Sequence, residues 1–409
     1  MPRKADNLFC RIADFRALYE AAMRAIRGKR RKPGAAAFMA NLERELLRLE
    51  RELLDGSWRP GGFVTFRVED PKPRNISAAP FRDRVVHHAL CAVVEPIFER
   101  GFIDDTYANR KGKGSHRAVA RYEHYRDRNR HVLRCDIWRY FPAIDHEILK
   151  AEFRRRIACE RTLALLDVVV DGSNPQEPVH RYYPGDDLFT PFERRRGLPI
   201  GNLTSQFFAN LYLDCLDHFV KEVLRAPYLR YVDDFALFHN DPLVLEAWRA
   251  RIEQFLWGRR LSLHPDKTHV ASSREPATFL GYVLLTNGCR RLPEDNVRRF
   301  RNRLRGLRDR WRTGSVEREE IEQRVGAWTA HAQHADTWRL RRAIFGGGWF
   351  DPLYQPSQRP GRPQMRSACC AVAPGTITRT TCDPRTATGT PPPTGTTTTA
   401  SVSPVRPSA

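Results

Sequence analysis

The chain has 409 residues, with 69 Lys and Arg against 48 Asp and Glu, which gives a formal net charge of +21. Its length and its 41% content of hydrophobic residues exclude a collagen, a coiled-coil rod and a wholly disordered protein, and suggest more than one domain. The excess of basic residues favours a polyanionic partner, most often nucleic acid.

Several classes of protein are disfavoured by what the sequence lacks. It contains no run of about 18 apolar residues, so we expect no membrane span. The basic N terminus is not followed by the apolar run of a secretory signal. The nine Cys are scattered without a Cys-x-x-Cys pair, so we expect no disulfide framework and no zinc site. These features predict a cytoplasmic protein that makes no membrane contact.

The first predicted elements form a helical segment followed by a strand and a second helix. Leu42, Leu46, Leu49 and Leu53 recur at helical spacing, which predicts an amphipathic helix over 35–54 that ends at Gly56. Alternating residues predict a strand over 62–69, and Pro and Asn behind it predict a turn. A further helix is predicted over 81–99.

Strands and helices then alternate without the regular order of a doubly wound sheet, which indicates an α+β fold. Residues 131–137 and 229–238 are short β-rich runs, and a long apolar helical stretch, 202–224, lies between them. A helix over 295–311 carries seven Arg between its apolar residues, so one face can pack on protein while the other meets phosphate. The tail after about residue 355 is rich in Pro, Thr, Ser and Gly and is predicted to be disordered. The apolar residues of the basic helix are Val297, Phe300, Leu304, Leu307 and Trp311.

The sharpest local feature is Tyr231-Val232-Asp233-Asp234, which lies between two apolar, strand-like runs. Burying two like charges is costly unless cations neutralise them. The pattern predicts a tight hairpin whose turn presents Asp233 and Asp234 to a metal ion. An exposed hairpin turn with no metal would have the same local sequence.

A further carboxylate, Asp136, ends the apolar run 131–137. Two strands side by side in one sheet would bring Asp136 to Asp233 and Asp234. Three carboxylates could then hold two Mg²⁺ ions, as in-line phosphoryl transfer requires, with Mn²⁺ as a substitute. The surrounding residues offer no His and Cys set of the kind that zinc prefers.

Seven short motifs follow one another between about residues 60 and 285. In chain order they are RNISAAPFRDRVVHHAL (74–90), YANRKGKGSHR (107–117), LRCDIWRYFPAIDH (133–146), GLPIGNLTSQ (197–206), YVDD (231–234), LSLHPDKT (261–268) and FLGY (279–282). In content and order this series resembles that of reverse transcriptases, RNA-directed DNA polymerases with a right-hand fold of fingers, palm and thumb.

Within that family, the segment Ile200–Gln206 is most similar to diversity-generating retroelement reverse transcriptases of bacteria and phages. Retroviral and group II intron enzymes usually carry Gln before Gly201 and Ser-Pro at the end of the segment, where this chain has Ile200 and Gln206. The resemblance implies copying of a template repeat RNA with errors opposite adenines, retrohoming of the cDNA into a variable gene, and a small basic accessory protein as partner.

The resemblance also implies catalytic roles by matching position. Asp136 and Asp233 would coordinate two Mg²⁺ ions, Asp234 would support them, and the backbone carbonyl of Ile137 would be a further ligand. Lys267 matches the proposed general acid for the pyrophosphate leaving group, although a plain surface lysine is an equal alternative.

The same matching gives candidates for substrate contact. Phe141 matches the steric gate that excludes a ribose 2′-OH, which makes the substrate a dNTP. Partners would be an RNA template, a DNA or RNA primer, and dNTPs. The other candidates lie in the matched motifs or on the basic helix: Lys72, Arg74, Arg82, Ser205 and Gln206 for the dNTP, and Arg110, Lys111, Gly281, Tyr282, Arg298, Arg301, Arg305 and Arg308 for template and primer.

The implied domains are an N-terminal helical segment (1–60), fingers (61–130), a palm (131–285) with a finger insertion at about 155–196, a helical thumb (286–350) and a low-complexity disordered tail (351–409).

Three alternative functions stay open at this point. One is a group II intron or other bacterial reverse transcriptase. Another is a non-catalytic nucleic-acid-binding protein on a polymerase fold, against which the presence of all three carboxylates argues. The last is an RNA replicase, which Phe141 and the YVDD turn disfavour.

Overall fold

The computed structural model describes residues 4–69, 73–173 and 179–346. All of them fall within one compact unit of the chain. The predictions for Lys72 and for the tail 351–409 lie outside the described residues. In the described part, no helix is long and apolar enough to cross a membrane.

Three α-helices lie in the N-terminal segment, and two of them occupy the range that is predicted as a single helix, 35–54. The predicted helix over 35–54 is divided at Asn41, whose φ of −121° and ψ of 33° are not helical and whose side chain donates to the carbonyl of Ala37 at 3.3 Å. The leucine stripe is confirmed in the second half, where Leu46, Leu49 and Leu53 are buried. The helices are α1 (Phe15–Ala25), α2 (Pro33–Ala40) and α3 (Leu42–Leu54).

A hairpin and two helices follow. The strands β1 (Val64–Val68) and β2 (Arg74–Ala78) pair antiparallel and form a two-stranded sheet. Helix α4 (Phe81–Glu99) has the predicted bounds, because Pro80 precedes its first turn and a nearly continuous buried surface runs along it. Helix α5 (Ser115–Arg126) comes next.

The central sheet has four antiparallel strands in the order β4-β5-β3-β6. Its middle pair joins two segments that are far apart in sequence, with His131 opposite His239 at one end and Asp136 opposite Asp234 at the other. The predicted β run 229–238 is a hairpin, since β4 and β5 are joined by a tight turn. The strands are β3 (His131–Asp136), β4 (Tyr228–Tyr231), β5 (Asp234–His239) and β6 (His269–Ser272).

Helices pack around this sheet. The helix Pro242–Gly258 packs against β3 and β5. The helical stretch predicted over 202–224 is interrupted at Leu213, where ψ is 0°, and it ends in a π-helical turn, Phe219–Val223. The helices are α6 (Tyr140–Ala143), α7 (His146–Arg156), α8 (Glu160–Asp171), α9 (Thr190–Glu193), α10 (Leu203–Tyr212), α11 (Asp214–His218) and α12 (Pro242–Gly258).

The last described segment packs into a second hydrophobic core, to which α5 and the central sheet also contribute. Phe300 and Trp328 stack in parallel with ring centroids 3.9 Å apart. Of the predicted apolar stripe, Phe300, Leu304 and Leu307 are buried, but Trp311 is 44% exposed and lies outside the core. The elements are β7 (Ala277–Phe279), β8 (Tyr282–Leu284), β9 (Arg290–Arg291), α13 (Glu294–Arg312), α14 (Arg318–Ala332) and α15 (Trp338–Phe345).

Candidate active site

Three carboxylates meet at one end of the central sheet. Asp136 is the last residue of β3 and lies directly opposite Asp234, the first residue of β5. Asp233 is in the turn between β4 and β5, next to Val232, whose φ is +59°. A β-branched residue rarely adopts this left-handed conformation, so the turn is held in its shape by its surroundings. The structure therefore brings together the three carboxylates that the sequence singles out.

The protein environment disfavours a full set of negative charges here. Burial, together with the charges of Asp233 and Asp136, raises the pKa of Asp234 to about 7. Burial also raises the pKa of Asp233, with a contribution from Asp136, while Arg74 and Lys267 act in the opposite direction. Closely spaced carboxylates of this kind become fully ionised when cations neutralise them.

Lys267 lies beside the carboxylates. Its Nζ is 2.9 Å from Oδ2 of Asp136, and its side chain is 47% exposed. A cavity of about 250 Å³ opens next to this pair and is lined also by Asp234, Phe279 and Leu280. A proton donor and an open space thus border the acidic cluster.

The donor set matches divalent cations that prefer oxygen. Within residues 4–69, 73–173 and 179–346, no three His, Cys, Asp or Glu side chains form a metal cage by themselves. Mg²⁺ does not need such a cage, because it is usually bound through one or two carboxylates together with waters and substrate phosphates. Ile137, the predicted backbone ligand, is buried directly after Asp136 and forms a β-bridge with Leu263.

The predicted dNTP contacts fall into two groups. Arg74 is exposed on β2, and its charge reaches Asp233. Arg82, in contrast, is engaged by α3: its guanidinium is 2.5 Å from Glu52 and 3.9 Å from Glu45. This pairing engages Arg82 within the protein, and its contact with a triphosphate remains a prediction.

Phe141 lies on α6, just beyond the carboxylate strand. It is half-buried against the main core, and its carbonyl accepts a hydrogen bond from Leu198 at 2.9 Å. The preceding residue, Tyr140, is buried, and its hydroxyl donates to the carbonyl of Ala209 at 2.5 Å. The position of Phe141 is thereby fixed by two segments of the palm, while its role as a steric gate remains a prediction.

The loop before α10 ties the central sheet region to the β1–β2 hairpin. The carbonyl of Ile200 accepts from the backbone of Ser77 at 3.0 Å. The side chain of Asn202 accepts from Ala79 at 3.1 Å and donates to the Ser77 carbonyl at 2.9 Å. Sequence reasoning missed this role of Asn202, although its place in the matched motif was a signal. Of the predicted dNTP contacts on α10, Ser205 is buried and Gln206 is exposed.

Some of the residues predicted to contact template and primer are enclosed by the protein, and others are exposed. Arg110 is largely enclosed, with Nε 2.7 Å from Glu99 and a further bond to the Ile103 carbonyl at 2.6 Å, and its template contact remains a prediction. Lys111 is exposed. Gly281 lies in the β7–β8 turn with φ +83°, whereas Tyr282 is buried and its hydroxyl is 2.9 Å from Nδ1 of His331. Packing therefore encloses the Tyr282 side chain.

The basic face of α13 is formed as its sequence pattern indicates. The arginines predicted to contact template and primer recur every three or four residues and are exposed, opposite the buried Phe300, Leu304 and Leu307. Two of them also have acidic neighbours on the same helix, Asp295 and Asp309. Contact with nucleic acid remains a prediction for these exposed residues, Arg298, Arg301, Arg305 and Arg308.

Arg230 is a functional candidate that sequence reasoning missed. It is 1% exposed, and its guanidinium donates to the two carboxylate oxygens of Asp217 at 2.7 and 2.6 Å. A third bond, of 2.9 Å, reaches the carbonyl of Val232 in the turn that carries Asp233. An Arg between apolar strand residues was the available signal, because a buried Arg requires a partner.

Comparison with known proteins identifies the family. Residues 68–284, more than half of the chain, match the family described as reverse transcriptase (RNA-dependent DNA polymerase). Protein YkfC of Escherichia coli strain K12 is 25% identical over 319 residues, which cover 66% of this chain and 80% of YkfC.

Among solved structures, a telomerase from Candida albicans in complex with a fragment of telomeric RNA aligns with a TM-score of 0.40 and 12% identity. The alignment covers 58% of this chain and 46% of the telomerase, so this chain spans less than half of that protein's length. The family match, with the mixed helices and antiparallel sheets, confirms the predicted right-hand polymerase fold of the α+β class. The chain belongs to the reverse transcriptase family, whose members are RNA-dependent DNA polymerases and hence nucleotidyltransferases that use divalent metal ions.

Proposed function

We propose that this chain copies an RNA template into DNA, with Asp136, Asp233 and Asp234 holding two Mg²⁺ ions, which Mn²⁺ could replace. The observation that carries the proposal is the register that sets Asp136 opposite Asp234, with Asp233 in the adjoining turn. Divalent cations bound there would lower the pKa of the primer 3′-OH and offset the charge of the pyrophosphate leaving group.

The chain's own residues supply the remaining functions. Lys267, within 2.9 Å of Asp136, can donate a proton to the leaving pyrophosphate. Arg74 provides positive charge beside Asp233, where the triphosphate of a dNTP would bind. Phe141, held by the backbone of Leu198, would leave no room for a ribose 2′-OH and so select dNTPs over ribonucleotides.

The finer proposal is a role in a diversity-generating retroelement. The segment Ile200–Gln206 supports it, since Ile200 and Gln206 differ from the residues usual in retroviral and group II intron enzymes. This role entails a template repeat RNA, retrohoming of its cDNA, errors opposite template adenines, and a small basic accessory protein.

Primer extension on an RNA template with dNTPs and Mg²⁺ tests the reaction. Wild type should extend the primer, and Asp233→Asn should abolish extension because it removes a metal-binding charge from the turn. Glu275→Gln is the matched control: it changes an exposed carboxylate to an amide in the loop after β6, away from the Asp136 end of the sheet. Equal extension by wild type and Asp233→Asn would contradict the assigned site.

Sequencing of the products separates the remaining possibilities. Errors concentrated opposite template adenines would support the retroelement role. Accurate copying would favour a group II intron-like or other bacterial reverse transcriptase. A failure of wild type to extend any primer, with cognate RNA and accessory protein supplied, would favour a non-catalytic nucleic-acid-binding role.

A further inference from the structure

Three histidines meet beside the turn that joins β7 to β8. His331 lies in the last turn of α14, His334 follows the end of that helix, and His116 lies in the first turn of α5. The rings of His116 and His334 stack with their centroids 3.4 Å apart and an angle of 19° between their planes. Rings stacked face to face do not direct their nitrogens at one metal ion, in agreement with the lack of a three-residue metal cage among the described residues. These three histidines, called here the histidine joint, connect α14 with α5 and with the turn formed by Leu280 and Gly281.

The histidine joint holds the β7–β8 turn from the side of α14. Leu280 and Gly281 both have a positive φ, +47° and +83°, and a leucine rarely adopts this conformation. The ring of His331 lies against the turn, because a Cβ on Gly281 would be 3.4 Å from its Cε1. Tyr282 directly follows the turn, and its hydroxyl donates to the His331 carbonyl at 3.0 Å and lies 2.9 Å from Nδ1 of the same residue. His331 therefore fixes the turn through its ring and through two polar groups.

The same turn borders the candidate active site. Phe279 and Leu280 line the cavity of about 250 Å³ that also contains Asp136 and Lys267. A displacement of the turn would therefore change the shape of the space beside the catalytic carboxylates. Gly281, in the turn itself, is one of the residues that the sequence predicts to contact template or primer.

The surroundings of the histidine joint disfavour its protonation. Burial and the charges of its two partners in the joint lower the pKa of His116, and Arg290 acts in the same direction. Burial and the charge of His334 lower the pKa of His331, against the effect of a hydrogen bond to the Gly281 backbone. Nδ1 of His116 is buried and has no hydrogen-bond partner among the described residues. A charged ring at this position would therefore hold an unpaired N–H group.

The other titratable groups around the joint do not offset a second positive charge. Arg290 on β9 donates to both carboxylate oxygens of Glu123 on α5, at 2.8 and 2.6 Å, and its backbone N–H donates to Asp336 at 2.9 Å. Both nearby carboxylates are thus bonded to Arg290. Burial raises the pKa of Tyr282 to about 12, so its hydroxyl keeps its proton at neutral and acidic pH. Two protonated rings in the stack would therefore repel each other without a neutralising partner.

We propose that the histidine joint positions the β7–β8 turn against the 3′ end of the primer, and that the joint stays closed only while His116 and His334 are not both protonated. The contact with the primer rests on the proposed function, whereas the joint stands on its own contacts. Opening releases histidines that titrate near pH 6.5, so the open form binds more protons below that pH and the closed form is lost as the pH falls. If one histidine stays neutral in the closed joint, the equilibrium shifts towards opening by about 10-fold between pH 7.5 and pH 5.5.

Two matched variants test the joint. His116→Gln/His334→Gln, the joint variant, removes both titrating rings of the stack. His124→Gln/His239→Gln is the control, since it makes the same change at two histidines outside the joint, on α5 and at the end of β5. Native-state hydrogen exchange of the full chain, corrected for the intrinsic rate, gives the protection factor of residues 279–284 at pH 7.5 and pH 5.5. Thermal unfolding checks that both variants fold.

In wild type and in the control, the protection factor of this segment should fall by about 10-fold from pH 7.5 to pH 5.5. In the joint variant this fall should be absent, because neither glutamine takes up a proton. A fall of equal size in the joint variant would overturn the proposal, since the titrating groups would then lie outside the joint.

A fluorescent adenine analogue in the primer tests the contact with its 3′ end. The analogue is placed either at the 3′ terminus or well inside the RNA–DNA duplex, and the duplex is bound to saturating protein without dNTP. The terminal probe should change its fluorescence between pH 7.5 and pH 5.5 with wild type but not with the joint variant, and the internal probe should change with neither. A terminal probe that is insensitive to pH with wild type would refute the contact, as would an equal change in the internal probe. Both measurements proceed without catalysis, so a wild type that extends no primer would contradict the proposed function, and hydrogen exchange would still decide whether the joint opens.

Discussion

At the scale of single residues, Arg230 connects the buried fold to the turn that presents Asp233. Its bidentate bond to Asp217 fixes the guanidinium, and a further bond holds the carbonyl of Val232, a residue in a left-handed conformation. Among the described residues, its side chain bonds to Asp217, Asn210 and Val232 and to none of the three carboxylates. We therefore infer that it is a positioning residue for the catalytic turn.

Arg230→Lys keeps the charge but loses the fork that reaches Asp217 and Val232 together. We expect kcat for nucleotide addition to fall by on the order of 10- to 100-fold, since small displacements of reacting groups have effects of this size. KM for dNTP should change little, because the Arg230 side chain is buried. Arg194→Lys is the control: the Arg194 side chain is also buried and pairs with Asp186, between α8 and α9. An equal fall in kcat for both variants would assign the effect to general loss of stability.

Lys267 allows a charge role to be separated from a proton-donor role. Lys267→Arg keeps positive charge near Asp136, but a guanidinium does not release its proton at neutral pH. If Lys267 is the general acid, both Lys267→Arg and Lys267→Gln should slow single-turnover addition by about 10²- to 10⁴-fold. The affinity for primer–template should stay at the wild-type value. Near-normal rates for Lys267→Arg would show that only the charge matters.

At the scale of elements, Gly201 determines how closely the loop before α10 approaches the β1–β2 hairpin. Its φ is +115°, and a Cβ at this position would lie 2.7 Å from Cγ2 of Ile76 on β2. Both the conformation and the close approach thus require glycine.

Gly201→Ala should lower the free energy of unfolding by about 1–3 kcal/mol, measured by urea denaturation. Gly185→Ala separates the two causes, because Gly185 also has a positive φ (+91°) but has open space around its missing Cβ. The difference between these variants reports the clash, and Ile76→Ala in the Gly201→Ala background should recover part of it. If the two glycine variants were equally destabilised, the contact with Ile76 would have no measurable role.

Helix prediction from periodicity succeeded where one apolar surface runs unbroken, as in α4 and α13. It was wrong where a local interaction ends the helix within an apolar stretch. Asn41 binds a carbonyl of the turn before it, and the backbone at Leu213 leaves the helical region, but neither event changes the hydrophobic spacing. Periodicity records which side chains are buried, and breaks of this kind leave burial intact.

At the scale of the whole molecule, the acidic cluster could be predicted because its residues stand in short motifs at the ends of apolar runs. The pairings of Arg82 and Arg110 could not, because a basic residue in a matched motif looks the same whether it faces phosphate or a distant glutamate. Glu52 reaches Arg82 from another helix, and only the packing of α3 on its neighbours brings the two together. Long-range ion pairs of this kind are properties of the tertiary fold.

The core also links stability to pH through His87, at the inner side of α4. It is 4% exposed, and burial, with the charges of His88 and Arg84, lowers its pKa to about 4. An unfolded histidine titrates near 6.5, so between about pH 6.5 and 4 the unfolded chain binds more protons than the folded one. The stabilisation is complete above pH 6.5 and is lost as the pH falls towards 4.

We expect this histidine alone to reduce the free energy of unfolding by about 2 kcal/mol between pH 7 and pH 5, measured by urea denaturation. His87→Gln should reduce the dependence on pH and leave the part that is due to its neighbour His88, whose pKa burial and nearby charges also lower to about 4. His239→Gln, at the far end of β5 from the carboxylates, should retain the wild-type dependence. A wild-type slope in His87→Gln would mean that other groups govern the loss.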